Sequence, residues 1–201
     1  MALVPEFTVV VSNVPEPMTG DAVVDAVALA RAKANEVARR LESTGAIVIG
    51  ADTIVHDGIR PYGKPAAAAE AVAMLQALRG RVHQVVTGLA VVSDSRTVVA
   101  HSVSNVDLAP LSDAAIEAYV ASGRPMDKAG AYAIQDEDVP TVAALSGCYC
   151  GVMGLSLWRL RALLGECGVE CAAPDVVYPR CRACPERPGA RGRLKSDTIE
   201  Q

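Results

Sequence analysis

The run Ala46-Ile47-Val48-Ile49-Gly50-Ala51, released by Gly45 and ended by Asp52, constrains the fold more than any other stretch of this chain. A continuous apolar strand fits burial on both faces, which is the situation of a largely parallel sheet. Asp52 then falls at the carboxyl end of a buried strand, where open α/β sheets place their ligands.

The flanking pattern supplies helices for such a sheet. In residues 21–41 the apolar positions Val23, Val27, Ala30, Ala34, Val37 and Leu41 recur at alternating spacings of four and three, one face of a helix. Residues 7–11 form a β-branched run that stops at a turn-prone Ser12-Asn13-Val14-Pro15, so a strand is expected there. His56-Asp57-Gly58 reads as a turn, and Pro65 opens a helix to about residue 79, with Gly80 just past its end. Residues 85–92 and 97–106 read as an antiparallel hairpin around Ser93-Asp94-Ser95, Ser112 caps a helix over 113–123, and residues 155–164 supply a last amphipathic helix. The expected fold is a single α/β domain over residues 1–166, with a mixed, mostly parallel twisted sheet flanked by helices. Residues 172–201 carry four prolines and many charges without apolar periodicity. A Cys/Pro-rich, disordered tail over 167–201 is therefore expected.

Composition bounds the function. Aromatics are only 3% of the 201 residues, so the core must be built from small aliphatic side chains. A formal net charge of −4 gives no basic footprint for a nucleic-acid polymer, while a small anion held by a few local cations remains compatible. The first fifteen residues contain Glu6 and neither Lys nor Arg, and no uncharged apolar run is long enough to span a membrane. A cytoplasmic protein without a membrane partner is expected. Cys148 and Cys150 sit in an apolar run, and the other four cysteines crowd between 167 and 184. Cys167, Cys171, Cys181 and Cys184 offer four thiols to zinc, but their short Pro-rich spacing shows no compact knuckle, and a reduced extension is the favoured reading.

Four short stretches carry chemistry: Gly50-Ala51-Asp52-Thr53, Gly63-Lys64-Pro65, His83-Gln84-Val85-Val86-Thr87-Gly88, and residues 127–135, Asp-Lys-Ala-Gly-Ala-Tyr-Ala-Ile-Gln. Cleaving a nucleoside triphosphate between its α and β phosphates needs an activated water, a cation across the phosphates, and donors where charge develops. Asp52 suits the first role, as a base or as the ligand of a divalent metal that acidifies its water; an acid here could also cap a turn or pair with a lysine. Lys64 lies in a bare, stiff stretch where backbone and ammonium can both approach an anion. His83, with an unperturbed pKa near 6.5 and no second histidine nearby, reads as structural. His56 and His101 have no motif support.

In their order and spacing these stretches resemble the Maf family of septum-formation-inhibitor-like proteins, known as nucleoside triphosphate pyrophosphatases, across roughly residues 5–165. Asp52-Thr53 and the Gly130 to Gln135 stretch resemble the branch acting on dTTP and UTP. The resemblance implies a Maf-like fold and hydrolysis of dTTP, UTP or modified pyrimidine nucleotides to the monophosphate and pyrophosphate. It casts Asp52 as general base, Lys33 and Lys64 on phosphates, Thr53 and Gln135 on the nucleobase, and Glu16 with Asp52 on Mg²⁺ or Mn²⁺. A homodimer is implied as well. The chain departs from the family pattern at its start. The family's first strand and Ser-x-Ser-Pro-Arg-Arg type loop have no counterpart, and the first arginine is Arg31. Pro15 replaces the first acid of the pair that Glu16 completes, Arg124 replaces a usual glutamate, and Gly151 stands where asparagine is common. These departures leave an alternative: a catalytically weakened nucleotide-binding regulator related to septum formation.

Overall fold

The computed structural model describes residues 3, 6–41, 45–136 and 138–190. The hairpin of β3 (Val82–Val92) and β4 (Thr97–Leu108) is the longest paired unit and the centre of a five-stranded sheet. With β1 (Val48–His56), β2 (Pro61–Tyr62) and β5 (Val142–Ser146), the strand order is β2-β1-β3-β4-β5. Every neighbouring pair is antiparallel.

The expected mostly parallel sheet is thus corrected. The alternation of strands with α2 (Ala68–Leu78) looked like a parallel crossover, yet the chain reverses after His56 and β3 returns antiparallel to β1, from Val48 opposite Val92 to His56 opposite Gln84. An apolar run reports burial and not direction, and here it also overstated burial: Val48 and Gly50 are buried, whereas Ile49 on the other face is 37% exposed. The strand also continues four residues past Asp52, which therefore stands mid-strand and not at a strand end.

The face under β1 and β3 is closed by α1 (Ala22–Leu41), whose first turn is capped by the Asp21 carboxylate accepting from the amides of Val23 and Val24. Ala30, Ala34 and Val37 pack on Val48 and Ala90, and Ala26 packs on Ile54 and Val86. The fit is tight because two strand residues have no side chain. A Cβ at Gly88 would lie 2.2 Å from the Ala26 carbonyl oxygen, and one at Gly50 would lie 2.3 Å from that of Ala30. This alanine-on-glycine contact is how an aromatic-poor sequence brings a helix backbone against a sheet.

On the opposite face, Leu160, Leu163 and Leu164 of α5 (Leu157–Glu166) pack on Leu89 and Val91. At the far end of the sheet, Leu75 and Leu78 of α2 meet Ile116 and Tyr119 of α3 (Asp113–Ala121) over Val55, Val85, Val106 and Leu108. Ser112 caps α3 by accepting from the Ala115 amide.

Two further expectations are corrected. Residues 7–11 form no strand, and Phe7, Val9 and Val11 stand exposed; β-branched residues favour a strand only where an edge pairs with them. The tail is not structureless over its described part. Following α4 (Tyr149–Val152) and α5, α6 (Pro174–Val177) and the 3₁₀ turn Pro179–Ala183 fold back, and Cys181 and Cys184 join Cys148, Cys150 and Trp158 in one buried cluster. Sulfur and not aliphatic periodicity holds this segment, so a search for apolar repeats passes over it; residues 191–201 lie outside the described residues. Among the described residues no helix is long and apolar enough to cross a membrane.

Candidate active site

β2 pairs only with Val55 and His56, so among the described residues no strand covers the outer edge of β1 at Asp52 and Thr53. A cleft of about 710 Å³ opens at this edge, and Glu16, Lys33, Asp52, Thr53, Lys64 and Gln135 all line it. Successive strand residues point to opposite faces. Asp52 turns toward α1 and Thr53 toward α4, so one bare edge offers two different chemistries.

On the α1 side the Lys33 ammonium stands 2.6 Å from a carboxylate oxygen of Asp52 and 2.6 Å from one of Glu16. Lys33 reaches the edge because Ala30 and Ala34 seat α1 directly on Gly50. Burial works against the Lys33 ammonium, but the hydrogen bonds to Asp52 and Glu16 outweigh it and its pKa is raised. Asp52 is also raised above the ordinary aspartate value, first by burial and further by the Glu16 charge; the opposing pull of Lys33 and Lys64 does not cancel these. The aspartate is therefore paired and still more basic than a solvated one. Glu16 and Asp52, joined through one ammonium, form an all-oxygen donor pair of the kind that holds a hard divalent cation whose remaining ligands are water and phosphate.

On the α4 side the hydroxyl order is fixed. Thr87 lies opposite Thr53 in the β1–β3 register and donates its proton to the Gly151 carbonyl at 2.7 Å. The Thr53 hydroxyl, 2.8 Å from that of Thr87, must therefore be the donor in their shared bond. A hydroxyl has one proton, so Thr53 is left with lone pairs to present to the cleft.

The loop residues arrive through backbone contacts. The Gly63 carbonyl accepts from the Gly130 amide at 3.1 Å, which ties the segment carrying Lys64 to the one carrying Gln135. Tyr132, also lining the cleft, is hydrogen-bonded through its hydroxyl to Nε2 of His83 at 2.7 Å. His83 itself is buried and does not line the cleft; burial lowers its pKa, so it stays neutral and supports Tyr132 from behind.

Sequence reasoning missed Lys128, a third cation on the cleft wall, which pairs with Asp127 at 2.6 Å. Both lie in the 127–135 stretch singled out above, where the signal was present but absorbed into the motif. Met18 and Met153 supply apolar wall, for which no sequence signal existed. The four-thiol set Cys167, Cys171, Cys181 and Cys184 is not assembled: Cys167 and Cys171 pack with Leu160 and Leu163, away from the cluster holding the other two.

Residues 1–167 match the model of the Maf-like protein family, and the chain belongs to that family. It is 46% identical over 163 residues to a protein of Thermomicrobium roseum named dTTP/UTP pyrophosphatase, covering 80% of this chain and 74% of the relative. Proteins of the same name from Desulforamulus reducens and Thermococcus gammatolerans are each 42% identical to it, over 82% and 79% of this chain and 87% and 85% of their own lengths.

Proposed function

We propose that the cleft hydrolyses dTTP and UTP to the monophosphate and pyrophosphate. The observation that carries this reading is the Glu16–Lys33–Asp52 cluster beside Thr53 on one uncovered strand edge, in a chain 42–49% identical to proteins named for that activity. The triphosphate lies along Lys33, Lys64 and Lys128, and its oxygens compete with Asp52 and Glu16 for Lys33. Asp52, released and with a raised pKa, takes a proton from water; the water oxygen bonds to the α-phosphorus while the α–β bridging P–O bond breaks and pyrophosphate leaves with its electron pair. Mg²⁺ or Mn²⁺ would be held by Glu16 and Asp52 and would supply Lewis-acid neutralisation of phosphate charge.

The lone pairs of Thr53 suit the N3–H donor of uracil or thymine, and the Gln135 amide suits a flanking carbonyl. Cytosine presents an acceptor at N3 and is disfavoured. A second reading has one supporting observation: no arginine lines the cleft among the described residues, so bidentate phosphate gripping is absent and nucleotide binding could outlast catalysis. Pyrophosphate release from dTTP, UTP, CTP, GTP and ATP with Mg²⁺, alongside nucleotide binding by calorimetry, separates the two. Turnover of dTTP and UTP above the others is expected; tight binding without hydrolysis selects the regulator, and neither binding nor hydrolysis overturns both.

A further inference from the structure

Two cysteine pairs separated by thirty residues meet beneath α5. Cys148 and Cys150 flank Tyr149 at the start of α4, while Cys181 and Cys184 come from the 3₁₀ turn and its end. All four are buried and all are free thiols. The Cys150 and Cys181 sulfurs are 3.6 Å apart. The Cys148 and Cys184 sulfurs and a carboxylate oxygen of Glu186 all lie within 4.8 Å of one another, a set to which Cys150 and Cys181 do not belong.

These distances are informative. A disulfide requires about 2.05 Å between sulfurs, whereas zinc–sulfur bonds of about 2.3 Å in a tetrahedron put the sulfurs about 3.8 Å apart. The 3.6 Å separation is close to that edge. We propose that Cys148, Cys150, Cys181 and Cys184 bind a structural zinc ion that clamps the segment after α5 onto the Maf domain. The pairing of a C-x-C with a C-x2-C supplies two ligands from each side of the join.

An independent observation points to a cation. The buried residues of the segment 171–190 are Pro174, Cys181, Cys184 and Glu186, so little aliphatic surface holds it down. Glu186 accepts from the Ser156 hydroxyl, but among the described residues its guanidinium partner, Nε of Arg159, is 3.7 Å away and makes no hydrogen bond. A buried carboxylate among four thiols is poorly compensated as it stands. With zinc on the four thiolates, Glu186 would take an outer position, accepting the one Ser156 proton, with that hydroxyl 3.7 Å from the Cys148 sulfur. The clamp reaches the cleft: the Gly151 amide donates to the Cys148 sulfur at 3.3 Å, and the Gly151 carbonyl receives the Thr87 proton that orders Thr53.

The test is elemental analysis of the full chain purified under reducing conditions without chelator, together with zinc titration of chelator-treated protein. About one zinc per chain is expected, with a lower Tm after chelation and recovery on adding zinc. Cobalt substitution should give thiolate-to-cobalt charge-transfer bands and tetrahedral d–d bands. Cys150→Ser and Cys181→Ser should lose the metal, while Cys167→Ser and Cys171→Ser keep it. Because the first two variants could fail to fold, thiol alkylation of the unaltered chain is the second measurement: zinc should protect four thiols, and chelation should expose them. Failure to take up zinc, metal retained in Cys150→Ser, or mass evidence that Cys150–Cys181 and Cys148–Cys184 are disulfides in protein freshly purified without reductant would each overturn the proposal.

Discussion

The cleft at Asp52 and the thiol cluster at Cys148 both crowd ionisable groups, but they balance charge differently. At the cleft, Lys33 touches Asp52 and Glu16, and Lys64 and Lys128 stand on the same wall. At the cluster, among the described residues, a buried carboxylate and four thiols are paired with a guanidinium that stands off at 3.7 Å. The cleft is a site whose charges can be exchanged for those of a ligand arriving from water. The cluster has no comparable exchange with solvent, because its groups are buried, and its balance must come from protons or from a resident cation. The family model reaches residue 167, so it includes the whole set of cleft residues and only half of the thiols. The cleft residues all lie within the matched stretch, whereas the proposed clamp would join that stretch to residues beyond it.

The sharpest way to break that comparison is Asp52→Asn. Removing the proposed general base should lower kcat by about 10²–10⁴-fold. Because burial already disfavours the ionised form of Asp52, Tm should hold or rise and any metal in the thiol cluster should be unaffected. Unchanged turnover would remove Asp52 from the chemistry, and a collapse of Tm would make it structural. Lys64→Ala comes next: losing the proposed charge-assisted phosphate contact of about 1.5–3 kcal/mol should lower kcat/KM by about 10–100-fold with no change in thermal stability. A fall in Tm without a fall in kcat/KM would move Lys64 from the ligand to the scaffold.

Gly88→Ala tests the platform that positions Lys33. Its Cβ meets the Ala26 backbone and not a flexible side-chain end, so overpacking of about 1–3 kcal/mol is expected, read as several degrees of Tm. Full stability in this variant would show that α1 can move away from the sheet, and an accompanying loss of activity would show that the move costs Lys33 its place. The smallest effect concerns His83, buried outside both sites. Its folded pKa is lowered below 6.5 by burial, so the unfolded chain binds the proton first. Its contribution to stability is complete above about pH 6.5 and is lost as pH falls from there to the folded pKa, with a slope of up to about 1.4 kcal/mol per pH unit. Urea unfolding from pH 8 to pH 5 checks the sign, and His83→Asn should flatten the slope.

The cleft was more legible than the sheet. Asp52 and Lys64 stand out by their place beside a buried strand and in a bare loop, while Lys33, Thr53, Gln135 and Glu16 entered through the family resemblance, and all six line the cleft. Strand direction was not legible, because an apolar run such as 46–51 looks the same in either orientation. The expected strand at 7–11 failed for a related reason: strand propensity needs a partner edge, which local sequence does not name.

By itself the sequence determined the long helices α1, α2, α3 and α5 and the β3–β4 hairpin, since each depends on local periodicity or turn chemistry. Only the tertiary structure decided that the sheet is antiparallel, that Asp52 lies mid-strand on an edge no strand covers among the described residues, and that Thr53 turns its lone pairs outward through Thr87 and Gly151. It also decided which cysteines meet. Spacing grouped Cys181 and Cys184 with their neighbours Cys167 and Cys171, whereas packing grouped them with Cys148 and Cys150. The physical reason is common to all of these: strand pairing and side-chain clustering are long-range contacts, fixed by which surfaces the collapsed chain buries together and not by proximity in sequence.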